Sequence, residues 1–127
     1  MPLARIALRR GKSPDYRKAV LDGVYGALRD TFAVPQGDRF MTISEHDADD
    51  FSYDPHYFGM DRSDDLVIIQ VTVSNTRGIE QKKALYRRIA ERLGDNPGVR
   101  ADDVFINLVE VAQENWSFGR GLAQYVE

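Results

Sequence analysis

The sequence predicts an oligomeric α+β domain in which a β-α-β unit is used twice, giving a four-stranded sheet with two helices on one face. Three observations carry this. A strand–helix–strand order of apolar patterns runs through residues 2–46 and again through 66–111. The segment Asp38-Arg39-Phe40…Glu45 recurs about 65 positions later as Asp103-Val104-Phe105…Glu110. The third strand is apolar on both of its sides, which calls for cover on both faces of its sheet.

Residues 3–9 alternate loosely and read as the first strand, closed by Gly11 and Lys12. Ser13-Pro14-Asp15 then makes a helix start. Serine caps, proline fits the first helical position, and aspartate suits the positive end of the helix dipole. Tyr16, Val20, Val24, Ala27 and Leu28 follow at helical spacing, and the helix stops before Pro35. Residues 39–45 form the second strand. A polar stretch from His46 to Asp65, punctuated by Pro55 and Gly59, separates the halves. Residues 66–73 are the third strand, 78–93 a helix ended by Gly94, and 104–111 the fourth strand. Residues 112–127 remain as a C-terminal arm.

On the third strand, Leu66 and Ile68 face one way and Val67, Ile69, Val71 and Val73 the other. Helices on one face would leave the second set wet, and no third long helix is available. An obligate oligomer that buries the uncovered sheet face between subunits is therefore expected.

Composition narrows the function. A chain of 127 residues with 43% apolar content is one domain able to build a core. A net charge of −3 offers no basic footprint for nucleic acid and no polybasic membrane patch. The absence of cysteine excludes disulfides, thiol catalysis and cysteine-ligated metals. No apolar run approaches the roughly 18 residues of a membrane span, and no signal-type core follows the N-terminus, so a cytoplasmic location is expected. His46 and His56 lie among Asp47, Asp49, Asp50 and Asp54, but the spacing fits no familiar ligand motif, and a solvated acidic loop is expected with no metal.

Proline at position 2 follows the initiator methionine. Trimming normally removes a methionine before a small residue, which leaves a secondary amine at the chain start. Such an amine titrates near 7.7–8 in water, and burial lowers that value. It can act as a general base or acid, or attack a carbonyl. The ordinary alternative is a proline that only follows the start codon, and a retained Met1 would block the amine.

The Pro2 start, the duplicated unit and the implied oligomer together resemble the tautomerase superfamily. Glu114-Asn115-Trp116-Ser117-Phe118-Gly119-Arg120-Gly121 is similar to the Trp-Ser-Phe-Gly segment of its malonate semialdehyde decarboxylase branch. Pro2-Leu3, Val34-Pro35…Asp38-Arg39-Phe40 and Arg77…Glu80-Gln81-Lys82 agree with the same branch. The resemblance implies that Pro2 is the catalytic proline, whose nitrogen shuttles a proton or polarises a carbonyl. It implies that Asp38 assists Pro2 or activates water, and that Arg77 holds a substrate carboxylate. Trp116 and Phe118 match the aromatic wall of the pocket, and Tyr125 stands where the family has another aromatic residue. A homotrimer without cofactor is implied as well.

The chain departs from that branch in three places. Where the decarboxylase pattern has a second arginine, two residues before the first, this chain has Asn75. Tyr57-Phe58-Gly59-Met60-Asp61 replaces a more glycine-rich stretch, and the sequence ends at Glu127, before the longer tail of decarboxylase members.

Each candidate also has a plainer reading. Arg77 beside the unpaired first amides of a helix suits a carboxylate; taken alone it reads more simply as a solvated arginine, and Pro2 on the adjacent first strand favours the functional reading. Asp38 after Gly37 is a common turn residue. Trp116 and Phe118 could be core aromatics, although their place beyond the last strand suits an arm closing over a pocket.

The functional expectation is an N-terminal-proline enzyme acting on a small enolisable oxo acid, with Pro2 as base and acid and Arg77 on the carboxylate. Decarboxylation of a β-oxo acid such as malonate semialdehyde, with a cationic Pro2 assisted by Asp38, is the alternative. A non-catalytic oligomeric binding protein that keeps Met1 is the third.

Overall fold

The computed structural model describes residues 2–127, so the expected removal of Met1 concerns a residue outside those described. Six elements build the domain: β1 (Pro2–Arg9), α1 (Pro14–Phe32), β2 (Met41–His46), β3 (Val67–Ser74), α2 (Ile79–Asp95) and β4 (Val104–Val111). The sheet order is β2-β1-β3-β4. β1 runs parallel to β2, antiparallel to β3, and β3 runs parallel to β4. Each half is thus a parallel β-α-β unit, and the two halves join along the central β1–β3 pair.

Ser13 caps α1 as its sequence requires: the Tyr16 amide donates to Ser13 Oγ at 3.1 Å, and Pro14 occupies the first turn. The helix ends at Ala33 in the left-handed conformation (φ 55°), ahead of Pro35. α2 continues one residue past Gly94. Its exit is set by the Gly98 and Val99 amides, which donate to the Leu93 carbonyl at 2.9 and 2.8 Å. β2 begins at Met41, two residues later than the sequence pattern places it. Asp38 and Arg39 instead form a tight turn, where the Asp38 amide donates to the Pro35 carbonyl and Arg39 pairs with Asp22.

The core lies between the sheet and the two helices. Ala4, Ile6 and Leu8 of β1 and Val67, Ile69, Val71 and Val73 of β3 are buried, together with Val20, Val24, Leu28, Leu85, Ile89 and Leu93 from the helices. Each such leucine or isoleucine contributes roughly 1.5–3 kcal/mol of burial. The helices approach closely because α1 carries glycine at the contact. A Cβ on Gly23 would sit 2.7 Å from Leu93 Cδ2.

The valine and isoleucine set of β3 faces the helices, which corrects the expectation that it is left wet: alternation sends it inward with Ala4 and Ile6. The opposite face is mixed. Arg5, Gln70 and Asn107 lie side by side in register there, with Gln70 donating to Asn107 at 3.2 Å. Phe105 and Val109 on the same face are 46% and 37% exposed. The segment 47–65, with short 3-10 turns at Ala48–Asp50 and Tyr57–Gly59, covers the end of this face next to Leu66, which is only 2% exposed.

The duplication extends to side chains. Arg17 pairs with Glu45, and Lys82, 65 positions after Arg17, pairs with Glu110, 65 positions after Glu45. The 3-10 turn Ala48–Asp50 has its counterpart in Gln113–Asn115.

Candidate active site

The topology gathers the candidate residues at one end of the sheet. β1 and β2 start there; β3 and β4, running the other way, end there. Pro2 opens β1 opposite Val73, Asp38 precedes β2, Asn75 and Arg77 follow β3, and the arm carrying Trp116 follows β4.

Pro2 is buried. It lines a narrow cleft with Asp38, Tyr25, Phe40 and Met41, so the proline and the aspartate share one recess. Tyr25 of α1 fixes the turn that presents Asp38. Its hydroxyl accepts from the Gly37 amide at 3.2 Å, and its ring lies 4.7 Å below the Arg39 guanidinium carbon.

Arg77 is held at the C-terminal end of α1. Its Nη2 donates to the Phe32 carbonyl at 3.0 Å, and its guanidinium carbon stands 4.8 Å over the Phe32 ring. Those contacts orient the guanidinium and use one of its five donors. Among the described residues it forms no ion pair. It sits next to the N-terminus of α2, where Gly78 is the N-cap and no side chain caps the first amides. An unpaired guanidinium beside uncapped helix amides is a suitable seat for a carboxylate. Asn75 is exposed, and its amide donates to the Val111 carbonyl at 3.0 Å, which ties the end of β3 to the end of β4.

Trp116, Phe118 and Tyr125 form one aromatic stack in the C-terminal arm. Trp116 and Phe118 are nearly parallel (19°) with centroids 5.7 Å apart, and Tyr125 meets Phe118 edge-on at 4.9 Å. Gln124 closes the arm on itself by accepting from the Phe118 amide and donating to the Gly119 carbonyl, both at 3.0 Å. The rings are half-buried or exposed, which separates them from the core. Trp116 Nε1 donates to Ser74 Oγ at 3.1 Å.

Sequence reasoning missed three contributors. Ser74 is polar and buried at the end of an apolar strand, Tyr25 supports the Asp38 turn, and Phe32 supports Arg77. Tyr25 and Phe32 carried a helical-periodicity signal only, and Ser74 only the polarity break after Val73. His46 contacts Ser44 and His56 contacts the Met60 carbonyl. Among the described residues, no group of three or more His, Asp or Glu converges as a metal site.

The sequence profile of the family described as "Tautomerase enzyme" matches residues 38–119. The Bacillus subtilis protein named "Probable tautomerase YusQ" is 40% identical over 127 residues, covering all of both chains. Malonate semialdehyde decarboxylase superposes with a TM-score of 0.91 at 35% identity, over 97% of this chain and 95% of that one. FG41 malonate semialdehyde decarboxylase inhibited by 3-bromopropiolate superposes with a TM-score of 0.92 at 40% identity, over 98% and 94%. A fused 4-OT described as a symmetric trimer shares the fold, with a TM-score of 0.78 at 19% identity over 94% of each chain.

Proposed function

This chain belongs to the tautomerase family, and within it we propose an N-terminal-proline enzyme that interconverts the enol and keto forms of a small oxo acid. The observation that supports the reading is that Pro2 and Asp38 share one recess at the end of the sheet where β3 leads to Arg77 and β4 leads to the aromatic arm. Arg77 and the uncapped amides of α2 bind the carboxylate. Fixing that group orients the reacting carbons, which is worth several kcal/mol of barrier. Neutral Pro2 takes the enol hydroxyl proton, and the resulting prolinium returns a proton to the α-carbon, so that C=C–OH becomes CH–C=O with no net change of atoms. Trp116, Phe118 and Tyr125 exclude water, which favours the uncharged amine. Asn75 lies beside the carboxylate seat as a neutral hydrogen-bonding neighbour. The mechanism calls for no cofactor.

Decarboxylation of a β-oxo acid is favoured by a different observation, the likeness at 40% identity to FG41 malonate semialdehyde decarboxylase. In that version Pro2 is cationic with Asp38 assisting. The C–C bond to the carboxylate held by Arg77 breaks and carbon dioxide leaves. The electron pair becomes the C=C of an enol as the aldehyde oxygen takes the prolinium proton. A solvent proton then adds to carbon while the hydroxyl proton returns to Pro2, leaving the aldehyde.

The protein acts as a homotrimer in this account, its mixed sheet face buried between subunits. Exposed Phe105 and Val109 on that face support the assembly. So does the trimeric state of the fold-related fused 4-OT. The test of function is Pro2→Ala, assayed by the ultraviolet decay of phenylenolpyruvate. Loss of activity with unchanged sedimentation supports the proline mechanism; full activity in the variant contradicts it.

A further inference from the structure

The described residues include only two buried polar or charged side chains, Asp103 and Ser74. Asp103 has an evident structural task, since it accepts from the Ser63 amide at 2.7 Å and the Ser63 hydroxyl at 2.6 Å. Ser74 is 3% exposed at the last position of β3, next to the residue paired with Pro2. Its hydroxyl accepts from the indole of Trp116. Among the described residues, this is the one hydrogen bond that joins residues 112–127 to the rest of the molecule. The other hydrogen bonds of the arm are local, from Asn115 to Ala112, Trp116 to Gln113, Leu122 to Gly119 and Val126 to Ala123, together with the Gln124 clamp.

The duplicated half handles the same place differently. Sixty-five positions earlier, Phe51 and Tyr53 stand for Trp116 and Phe118, and Arg9 stands for Ser74. There the Tyr53 hydroxyl donates to Asp64 at 2.8 Å, Arg9 pairs with the same Asp64 at 2.7 Å, and Arg10 ties down Asp47 at 2.8 Å. One end of the sheet therefore has its aromatic pair tied through Tyr53 to a carboxylate that Arg9 holds in turn. The other has its aromatic stack fixed by one buried hydroxyl, with Phe118 leaning on Trp116 and Tyr125 on Phe118.

We propose that Ser74 is a positioning residue for the substrate pocket: its buried hydroxyl fixes the Trp116 indole and, through the ring stack, the whole aromatic wall. The proposal rests on the reading of this end of the sheet as the active site. Ser74 touches no substrate itself. It holds the arm and its rings in place, so its loss acts on binding before chemistry.

The test uses the full chain with Ser74→Ala, Ser74→Thr and Trp116→Phe. Trp116 is the only tryptophan, so its emission reports the arm directly without reference to activity. In Ser74→Ala, acrylamide quenching of Trp116 should rise about twofold or more. KM for phenylenolpyruvate should rise about five- to tenfold, in line with the loss of one buried hydrogen bond, while kcat changes less. Ser74→Thr, which keeps the hydroxyl, should restore both. Trp116→Phe, which keeps a ring but removes the donor, should raise KM similarly, and the double variant Ser74→Ala/Trp116→Phe should be no worse than either single variant. Unchanged quenching in Ser74→Ala, no rescue by threonine, or additive KM effects in the double variant would each overturn the proposal. Where Ser74→Ala fails to fold, Trp116→Phe with parental KM overturns it. Failure of the active-site reading shows separately, as full activity of Pro2→Ala, and leaves the quenching result intact.

Discussion

Arg77→Lys separates a bound carboxylate from a solvated surface charge. In the folded chain the guanidinium is already oriented, with one N–H on the Phe32 carbonyl at 3.0 Å and the plane over the Phe32 ring at 4.8 Å. The remaining donors can meet a carboxylate as a fork. Lysine keeps the charge but lacks the planar fork, so it cannot make the parallel pair of hydrogen bonds to the carboxylate while another N–H stays on the Phe32 carbonyl. A charge-assisted hydrogen bond is worth roughly 1.5–3 kcal/mol. Losing one therefore lowers kcat/KM by about 10- to 100-fold, at about 1.4 kcal/mol per factor of ten. Folding depends less on this side chain, which contributes one hydrogen bond and one ring contact to the C-terminal end of α1; a stability loss of about 1 kcal/mol is expected. The assay pairs phenylenolpyruvate ketonisation with urea unfolding of the same preparations. A variant within about twofold of the parent in kcat/KM would refute the reasoning, and so would a rate loss fully explained by an unfolded fraction.

Two further outcomes follow from the fold. Gly23→Ala gains helix propensity of about 1 kcal/mol but drives a methyl to within 2.7 Å of Leu93 Cδ2. Overpacking at a helix contact costs about 1–3 kcal/mol, so a lowered urea midpoint is expected, and a raised one would refute the close approach. Hydrogen bonds from Arg88, and after them Arg92, hold the Asp30 carboxyl below its ordinary value. A depressed carboxylate contributes stability above its unfolded value, near 3.9, and loses it as pH falls through the folded value. Asp30→Asn should therefore be less stable than the parent from about pH 5 upward, with the difference vanishing in stronger acid; an undiminished gap at pH 2 would contradict the pairing.

Much of this architecture was readable in the sequence because it rests on local physics. Ser13-Pro14 fixed the start of α1 through a cap and a preset φ, and the 65-residue recurrence carried the duplicated unit through to matched ion pairs. Gly94 misled, because the turning amides at Gly98 and Val99 act on the Leu93 carbonyl from beyond the helix. The inner face of β3 was also misplaced. Apolar alternation gives two faces but does not say which one the helices choose, and that is settled by partners such as Ala4 and Ile6. In the site, Pro2, Asp38, Arg77 and the aromatic arm were legible as residue types, while Tyr25, Phe32 and Ser74 were not. Their roles arise from contacts across long sequence separations, between Ser74 and Trp116 and between Phe32 and Arg77.

The central claim is that Pro2 works as a neutral base, and a pH titration of its nitrogen by NMR tests it most directly, on protein whose intact mass shows Met1 removed. A value below about 7, under the solvated α-amine range, is the result predicted for the tautomerase. A value of about 9 or above would make Pro2 a standing cation and contradict it, transferring the site to decarboxylation chemistry.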